Sequence, residues 1–100
     1  MLRHIVMFRL SDQAEGKTKE ENAKKIKKVL DKLPEKIEQI REYEVGINIS
    51  ESDSAADLVL ISSFESEDEL GTYRVHPDHI EALEFIKRVV SESRVVDYHV

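Results

Sequence analysis

The alternation of apolar and polar residues predicts regular secondary structure along most of the chain. A period of two residues, typical of a strand, occurs in four stretches: RHIVMFRL, REYEVGINIS, DLVLISSF and RVVDYHV. Apolar residues recur at helical spacing in two others, with Ala23, Ile26, Leu30 and Leu33 in the first and Ile80, Leu83, Ile86 and Val90 in the second. The order β-α-β-β-α-β predicts a ferredoxin-like α+β sandwich with a four-stranded antiparallel sheet. We expect a single domain over residues 1–100.

Capping and proline signals predict where the helices begin and end. Thr18 and Glu21 have the spacing of a capping box, which predicts the start of the first helix. Pro34 predicts its end, because the residue before a proline disfavours helical backbone angles. Ser66 and Glu69 repeat the capping-box spacing, and we expect a short helical turn after them.

Both faces of the predicted sheet carry apolar residues in at least two strands. These residues are Ile5 and Met7 opposite Val6 and Phe8 in the first strand, and Leu58 and Leu60 opposite Val59 and Ile61 in the third. Two helices cover only one face of a four-stranded sheet, so the other face would be a large exposed apolar patch. No third layer is encoded, and we therefore expect a homodimer that packs sheet against sheet.

Composition and charge exclude several classes of protein. The chain has 100 residues, is 40% hydrophobic and has no cysteine, so disulfides and thiolate metal sites are excluded. The net charge of −6 argues against a nucleic-acid-binding protein, because such binding relies on neutralising phosphates. Eight lysines fall within residues 17–36, and we interpret them as the solvated face of the first helix. No apolar stretch is long enough to span a membrane, and we predict a cytoplasmic protein.

The stretch YRVHPDH, residues 73–79, is the main candidate for chemistry. Pro77 suits the first position of a helix, which makes His76 the expected N-cap and places His79 in the first turn. The positive end of the helix dipole disfavours an imidazolium there, so we expect His79 to be neutral and able to accept a proton. Tyr73 would be a nearby hydrogen-bond donor. His4 would join them if its strand face meets the helices.

Two other interpretations of these residues stay open. In the first, the histidines only cap and pack, and Tyr73 is an ordinary core residue. In the second, His76, Asp78 and His79 bind a metal ion, although neither an HExxH spacing nor a thiolate supports such a site. We expect His99, near the chain end, to be exposed.

Five segments together resemble one protein family. They are MLRHIVMFRL, EVGIN, DLVLISSFES, YRVHPDH and VVDY, and they occur in the same order as in the stress-responsive A/B barrel (Dabb) domain family. The resemblance covers essentially the whole chain. It implies a ferredoxin-like unit that dimerises through its sheets into an α+β barrel.

The resemblance also implies a reaction, because the family includes a plant polyketide cyclase that works without a cofactor. Its Y-x-x-H-P-x-H motif falls on Tyr73 and His79, and its first-strand histidine falls on His4. By this resemblance His79 would be the general base, Tyr73 would stabilise the enolate or a thioester carbonyl, and His4 would orient the substrate. Ile26 replaces an aromatic hydroxyl residue of that enzyme, which implies a more aliphatic pocket. The expected binding residues are Phe8, Ile26, His76, Leu83 and Phe85.

The leading hypothesis is therefore a Dabb-type homodimer that binds a small apolar or aromatic carbonyl compound between sheet and helices. It would use no metal and no cofactor, and its chemistry would be that of a cyclase or lyase. The second hypothesis is a non-catalytic stress-response or structural dimer. A third is a cofactor-free or heme-degrading monooxygenase on the same fold, although the chain has no tryptophan and suggests no axial ligand.

Overall fold

The computed structural model describes residues 1–100 and contains six strands and four helices. The strands are β1 (Leu2–Leu10), β2 (Gln13–Ala14), β3 (Lys17–Thr18), β4 (Glu42–Ile47), β5 (Leu58–Phe64) and β6 (Val90–His99). The helices are α1 (Lys19–Asp31), α2 (Leu33–Lys36), α3 (Glu67–Val75) and α4 (Pro77–Val89). None of these helices has the length and apolar character needed to cross a membrane.

The four long strands form one antiparallel sheet in the order β4-β5-β1-β6. This confirms the predicted ferredoxin-like α+β fold. The central strand β1 pairs with β5 on one side and with β6 on the other, so His4 lies opposite both Ser62 and Asp97. Strand β6 begins at Val90, directly after α4, and is therefore longer than the predicted stretch RVVDYHV.

One face of the sheet is covered by the helices and carries the core. On β1 this face contains Leu2, His4, Phe8 and Leu10, all buried, and half-buried Val6. From the helices, Ile26, Leu30, Tyr73 and Val89 complete the core, each at most 2% exposed. Burial of this apolar surface supplies the main driving force for folding.

The first helix begins as predicted and ends slightly earlier than predicted. The Thr18 side chain accepts from the N–H of Glu21, and the Glu21 carboxylate accepts from the N–H of Thr18, so both halves of the capping box are present. Helix α1 ends at Asp31, and Pro34 belongs to the separate single turn α2. A proline is accepted in a first helical turn because its missing N–H has no partner there.

The second predicted capping box is only half formed. The Ser66 hydroxyl accepts from the N–H of Glu69, as expected for an N-cap. The Glu69 carboxylate instead accepts from the N–H of Glu65 and from the Arg41 guanidinium. Helix α3 is also longer than the expected turn, since it spans nine residues.

The other face of the sheet is not covered by any helix, and the loop at residues 53–55 contacts only its edge at Arg9. Its apolar residues are half-buried Ile5, Val59 and Ile61 and the exposed Met7 and Val96. Met7 is 46% exposed, whereas Val6, its neighbour in sequence, points to the helices. We call this surface the open sheet face.

Candidate functional site

The corner between α3 and α4 holds the tyrosine and two of the histidines. The Nδ1 atom of His76 accepts a hydrogen bond from the N–H of Asp78 at 3.1 Å, which confirms the predicted N-cap. Pro77 occupies the first position of α4, and His79 follows in the first turn. Tyr73 lies in the last turn of α3. The short connection brings the rings of Tyr73 and His79 together, with centroids 4.2 Å apart and planes at 39°.

Tyr73 is the centre of an aromatic cluster inside the protein. Its side chain is fully buried. The ring packs against Phe64 at a centroid distance of 5.0 Å and meets the His4 ring edge-on at 6.3 Å. The structure therefore brings together the three residues that sequence reasoning proposed as catalytic, His4, Tyr73 and His79. The ring of Tyr43 also contacts Tyr73. We call His4, Tyr43, Tyr73 and His79 the tyrosine–histidine cluster.

The Tyr73 hydroxyl is hydrogen bonded to another tyrosine. Its oxygen lies 2.8 Å from the hydroxyl oxygen of Tyr43, a β4 residue on the helix-covered face. Burial raises the pKa of Tyr73 to about 12, and its hydrogen bond to Tyr43 partly opposes this rise. Burial also raises the pKa of Tyr43, and the neighbouring Tyr73 adds to the effect. Both phenols are therefore neutral donors at ordinary pH.

The geometry of His79 leaves one ring nitrogen available as a base. Its Nδ1 atom lies 3.0 Å from the backbone oxygen of Arg74. A carbonyl oxygen can only accept, so Nδ1 must carry the proton and Nε2 of a neutral ring keeps its lone pair. Burial lowers the pKa of His79, although the bond to the Arg74 carbonyl opposes the shift. Electrostatic interaction with His4, Arg74 and His76 lowers the pKa of His79 further.

His4 belongs to a chain of charged and polar groups that links three elements. Its Nδ1 atom is hydrogen bonded to one carboxylate oxygen of Asp97 on β6. The other carboxylate oxygen of Asp97 accepts from the Arg74 guanidinium at 2.9 Å. Sequence reasoning missed Tyr43, Arg74 and Asp97 as members of this site. Asp97 lay within the quoted VVDY segment, but nothing in the sequence indicated that it lies opposite His4.

Three of the expected binding residues, Phe8, Ile26 and Phe85, belong to the same buried core as Tyr73. Phe8 is four residues beyond His4 on the same strand face, about 13 Å along β1. Ile26 is fully buried in the core. Phe85 lines a cleft of about 420 Å³ between α1, α2 and α4, with the Lys25 ammonium 4.3 Å from its ring centroid. His76 uses Nδ1 to cap α4, and Leu83 is half-buried one turn after His79.

The principal surface clefts reach the tyrosine–histidine cluster only at Tyr43. None of the five main ones is lined by His4, Tyr73 or His79. The most apolar of them, of about 370 Å³, lies beside the open sheet face and includes Met7 and Val59. No group of three or more histidines, aspartates and glutamates is positioned to hold a metal ion. His99 is exposed, as predicted.

An apolar strip on the helix-covered side approaches the tyrosine–histidine cluster. Val6 and Val95 lie opposite each other on β1 and β6, two residues from His4 and Asp97 respectively. Val6 is half-buried and Val95 is 59% exposed, so this part of the sheet is only partly covered. We refer to Val6 and Val95 as the apolar strip.

Comparisons with known proteins agree with this architecture. A dimeric protein with a ferredoxin-like fold from Bacteroides fragilis is 30% identical, has a TM-score of 0.86, and the match covers 99% of this chain and 95% of that one. A dimeric ferredoxin-like protein from Thermobifida fusca is 25% identical, with a TM-score of 0.86, and the match covers 99% of this chain and 90% of that one. The hydroxynitrile lyase of Passiflora edulis is 16% identical, with a TM-score of 0.83, and the match covers 99% of this chain and 92% of that one. At this identity the similarity shows the fold alone. No curated protein matches the chain by sequence.

The family follows from the sequence match over the full domain. The family model described as Stress responsive A/B Barrel Domain, or Dabb, matches residues 2–100. This range includes every strand and helix of the fold and every residue of the tyrosine–histidine cluster. The chain therefore belongs to the Dabb family.

Proposed function

We propose that the protein is a homodimer whose subunits bind a small apolar or aromatic carbonyl compound at the tyrosine–histidine cluster. The observation that supports this most directly is the state of His79. Its Nδ1–H is held by the Arg74 carbonyl, its Nε2 lone pair is free, and partial burial disfavours the charged form. A neutral imidazole beside a neutral phenol is the pair that acid–base chemistry on a carbonyl compound requires.

The proposed chemistry is proton transfer next to a carbonyl group. His79 Nε2 takes a proton from the carbon beside the carbonyl, and the C–H electron pair moves toward the carbonyl oxygen to form an enolate. The Tyr73 hydroxyl, which burial keeps protonated, donates a hydrogen bond to that oxygen. His4, held by Asp97, orients the substrate. The enolate can then add to a second carbonyl, as in a cyclase, or expel a leaving group, as in a lyase.

The apolar strip supports the substrate class. A compound lying along Val6 and Val95 would cover apolar surface that the chain itself leaves partly exposed. Its carbonyl end would then lie next to the His4–Asp97 pair. Burial of such surface is favourable by roughly 25 cal/mol per Å². A compact apolar or aromatic body fits this surface better than a sugar or a nucleotide.

The open sheet face supports the homodimer. Ile5, Met7 and Val96 lie on it with no covering layer, and two structural relatives of this chain are described as dimeric. The Nε atom of Arg3 and the hydroxyl of Ser63 are buried without a hydrogen-bond partner, and both residues belong to this face. A second copy packed on this face would bury the apolar residues and bring polar groups within reach of these two atoms.

A second candidate function is a non-catalytic dimer whose motif residues only cap and pack. A different observation favours it. Tyr73 is fully buried with its hydroxyl bonded to Tyr43, and none of the main clefts reaches it. In this function the His76 cap and the Tyr73–His79 contact stabilise the α3–α4 corner and nothing more.

One experiment separates the two functions. Wild type and His79→Ala are screened by thermal shift against phenols, keto acids and thioesters, and any binder is then tested by NMR for a response of the His79 ring. The catalytic proposal expects a binder that perturbs His79, and a turnover that falls by about 10²- to 10⁴-fold in His79→Ala. Binders that leave His79 unperturbed, or no binder in any class, would support the non-catalytic dimer.

A further inference from the structure

We infer that Arg74 is a positioning residue whose side chain and backbone hold the two candidate histidines in defined hydrogen-bonding states. The inference rests on the proposed function, because it concerns the same site. The Arg74 guanidinium donates to Asp97, and the other oxygen of that carboxylate bonds to His4. The Arg74 backbone oxygen bonds to His79. One residue is thus connected to both imidazoles.

The two connections select the same tautomer in both rings. A carboxylate and a carbonyl oxygen can only accept, so each histidine must donate from Nδ1. Each neutral ring then keeps a lone pair on Nε2, which is the nitrogen left to meet a ligand. The second hydrogen bond of a histidine sets which nitrogen carries the proton, and Arg74 acts on His4 through this effect.

The side chain of Arg74 fixes the Asp97 carboxylate by using one of its two oxygens. The contact is 2.9 Å long and crosses from the end of α3 to β6. A carboxylate held at only one oxygen can rotate, whereas one held at both oxygens presents a fixed plane to His4. The Arg74 side chain is 50% exposed, so the ion pair contributes little to stability. Its main effect is therefore on orientation.

The surroundings leave Arg74 as the direct cationic partner of this carboxylate. The charged and titratable side chains around His4 come from four other elements and one helix cap: Tyr43 on β4, Tyr73 and Arg74 on α3, His76 at the N-cap of α4, His79 on α4, and Asp97 on β6. Among the ion pairs of the protein, Asp97 has only two partners, His4 and Arg74. Removing the Arg74 guanidinium should therefore let the Asp97 carboxylate rotate, because no other arginine or lysine is paired with it.

The test uses the full chain and NMR of the histidine side chains, which needs no substrate. Long-range ¹H–¹⁵N correlation distinguishes a ring protonated on Nδ1 from one protonated on Nε2. The variants are Arg74→Ala, Arg74→Lys and, as a matched control, Arg88→Ala. Arg88 is an exposed arginine on α4 whose ion-pair partner is Glu15. In wild type we expect the neutral rings of His4 and His79 each to be a single Nδ1–H tautomer.

In Arg74→Ala we expect His4 to lose its single tautomer while His79 keeps it, because alanine retains the backbone carbonyl that holds His79. Lysine at position 74 should restore most of the His4 signal, and Arg88→Ala should match wild type. Unchanged His4 spectra in Arg74→Ala would overturn the inference. Loss of the single tautomer in both His4 and His79 would also overturn it, because that result would indicate a general structural role for Arg74. A failure of the proposed function is distinct, since it would appear as absent binding or turnover with these spectra intact.

Discussion

The hydroxyl oxygens of Tyr43 and Tyr73 lie 2.8 Å apart, so tyrosines from β4 and α3 share a hydrogen bond beneath the helices. In such a pair one hydroxyl donates and the other accepts. The accepting hydroxyl keeps its own proton free for a third group. When Tyr43 donates, the Tyr73 hydroxyl is polarised and keeps its own proton for the proposed substrate oxygen. In the proposed function Tyr43 therefore belongs to the donor system, although the sequence motif contains only Tyr73.

The tyrosine pair should be visible as coupling between two substitutions. Tyr43→Phe leaves the fully buried Tyr73 hydroxyl without its partner, and we expect it to lower the free energy of unfolding by about 1–3 kcal/mol. In Tyr43→Phe/Tyr73→Phe no hydroxyl is left unpaired, so the double variant should lose less than the sum of the single ones. Urea unfolding of the four proteins measures this coupling. Strict additivity would show that the bond contributes nothing.

Stability should also fall at alkaline pH because of the same pair. Burial raises the pKa of Tyr73 to about 12 from an ordinary value of 10.0, and the pKa of Tyr43 is raised too. The unfolded chain then releases these protons first, so the stabilisation is complete below about pH 10 and is lost as pH rises toward 12. Unfolding midpoints measured between pH 8 and 11 show how steeply the stability falls as the pH rises. Tyr73→Phe should flatten this pH dependence.

The hydrophobic pattern was sufficient to predict the fold but not the pairing of strands. Period-two and helical spacings identified all the long strands and the two main helices, because each buries one face against the core. They carry no information on register. His4 and Asp97 are 93 residues apart in sequence and meet only because β1 and β6 pair in a particular alignment. The partner of His4 could therefore not be inferred from periodicity.

Local turn chemistry explains another element that the pattern did not reveal. The hairpin β2–β3 has two strands of two residues each, too short to show alternation. Its turn residues Glu15 and Gly16 have φ angles of 53° and 73°. Positive φ at both central positions is typical of a type I′ turn, which sequence reasoning recognises most readily from Asn-Gly or Asp-Gly. Glutamate before the glycine does not give this signal.

His79 should make the protein less stable in mild acid. Burial lowers its pKa below the ordinary 6.5, so the folded state resists protonation more than the unfolded chain does. The resulting stabilisation is present above about pH 6.5 and is lost as pH falls through the lowered pKa. Urea unfolding between pH 7.5 and 5 should show that the free energy of unfolding falls less steeply with decreasing pH in His79→Gln than in wild type. His99→Gln, at an exposed position, is the control and should keep the wild-type slope.

The homodimer can be tested by placing a charge on the open sheet face. Met7 and Ile80 are both 46% exposed in the single chain, but Met7 lies on the open sheet face and Ile80 lies on α4. We expect Met7→Lys to shift the protein from dimer to monomer at micromolar concentration, because an unpaired ammonium would be buried in the interface. Ile80→Lys should leave the dimer intact. Sedimentation velocity measures both. A wild-type protein that sediments as a monomer would refute the dimer, and equal dissociation by the two lysines would show that the interface is not this face.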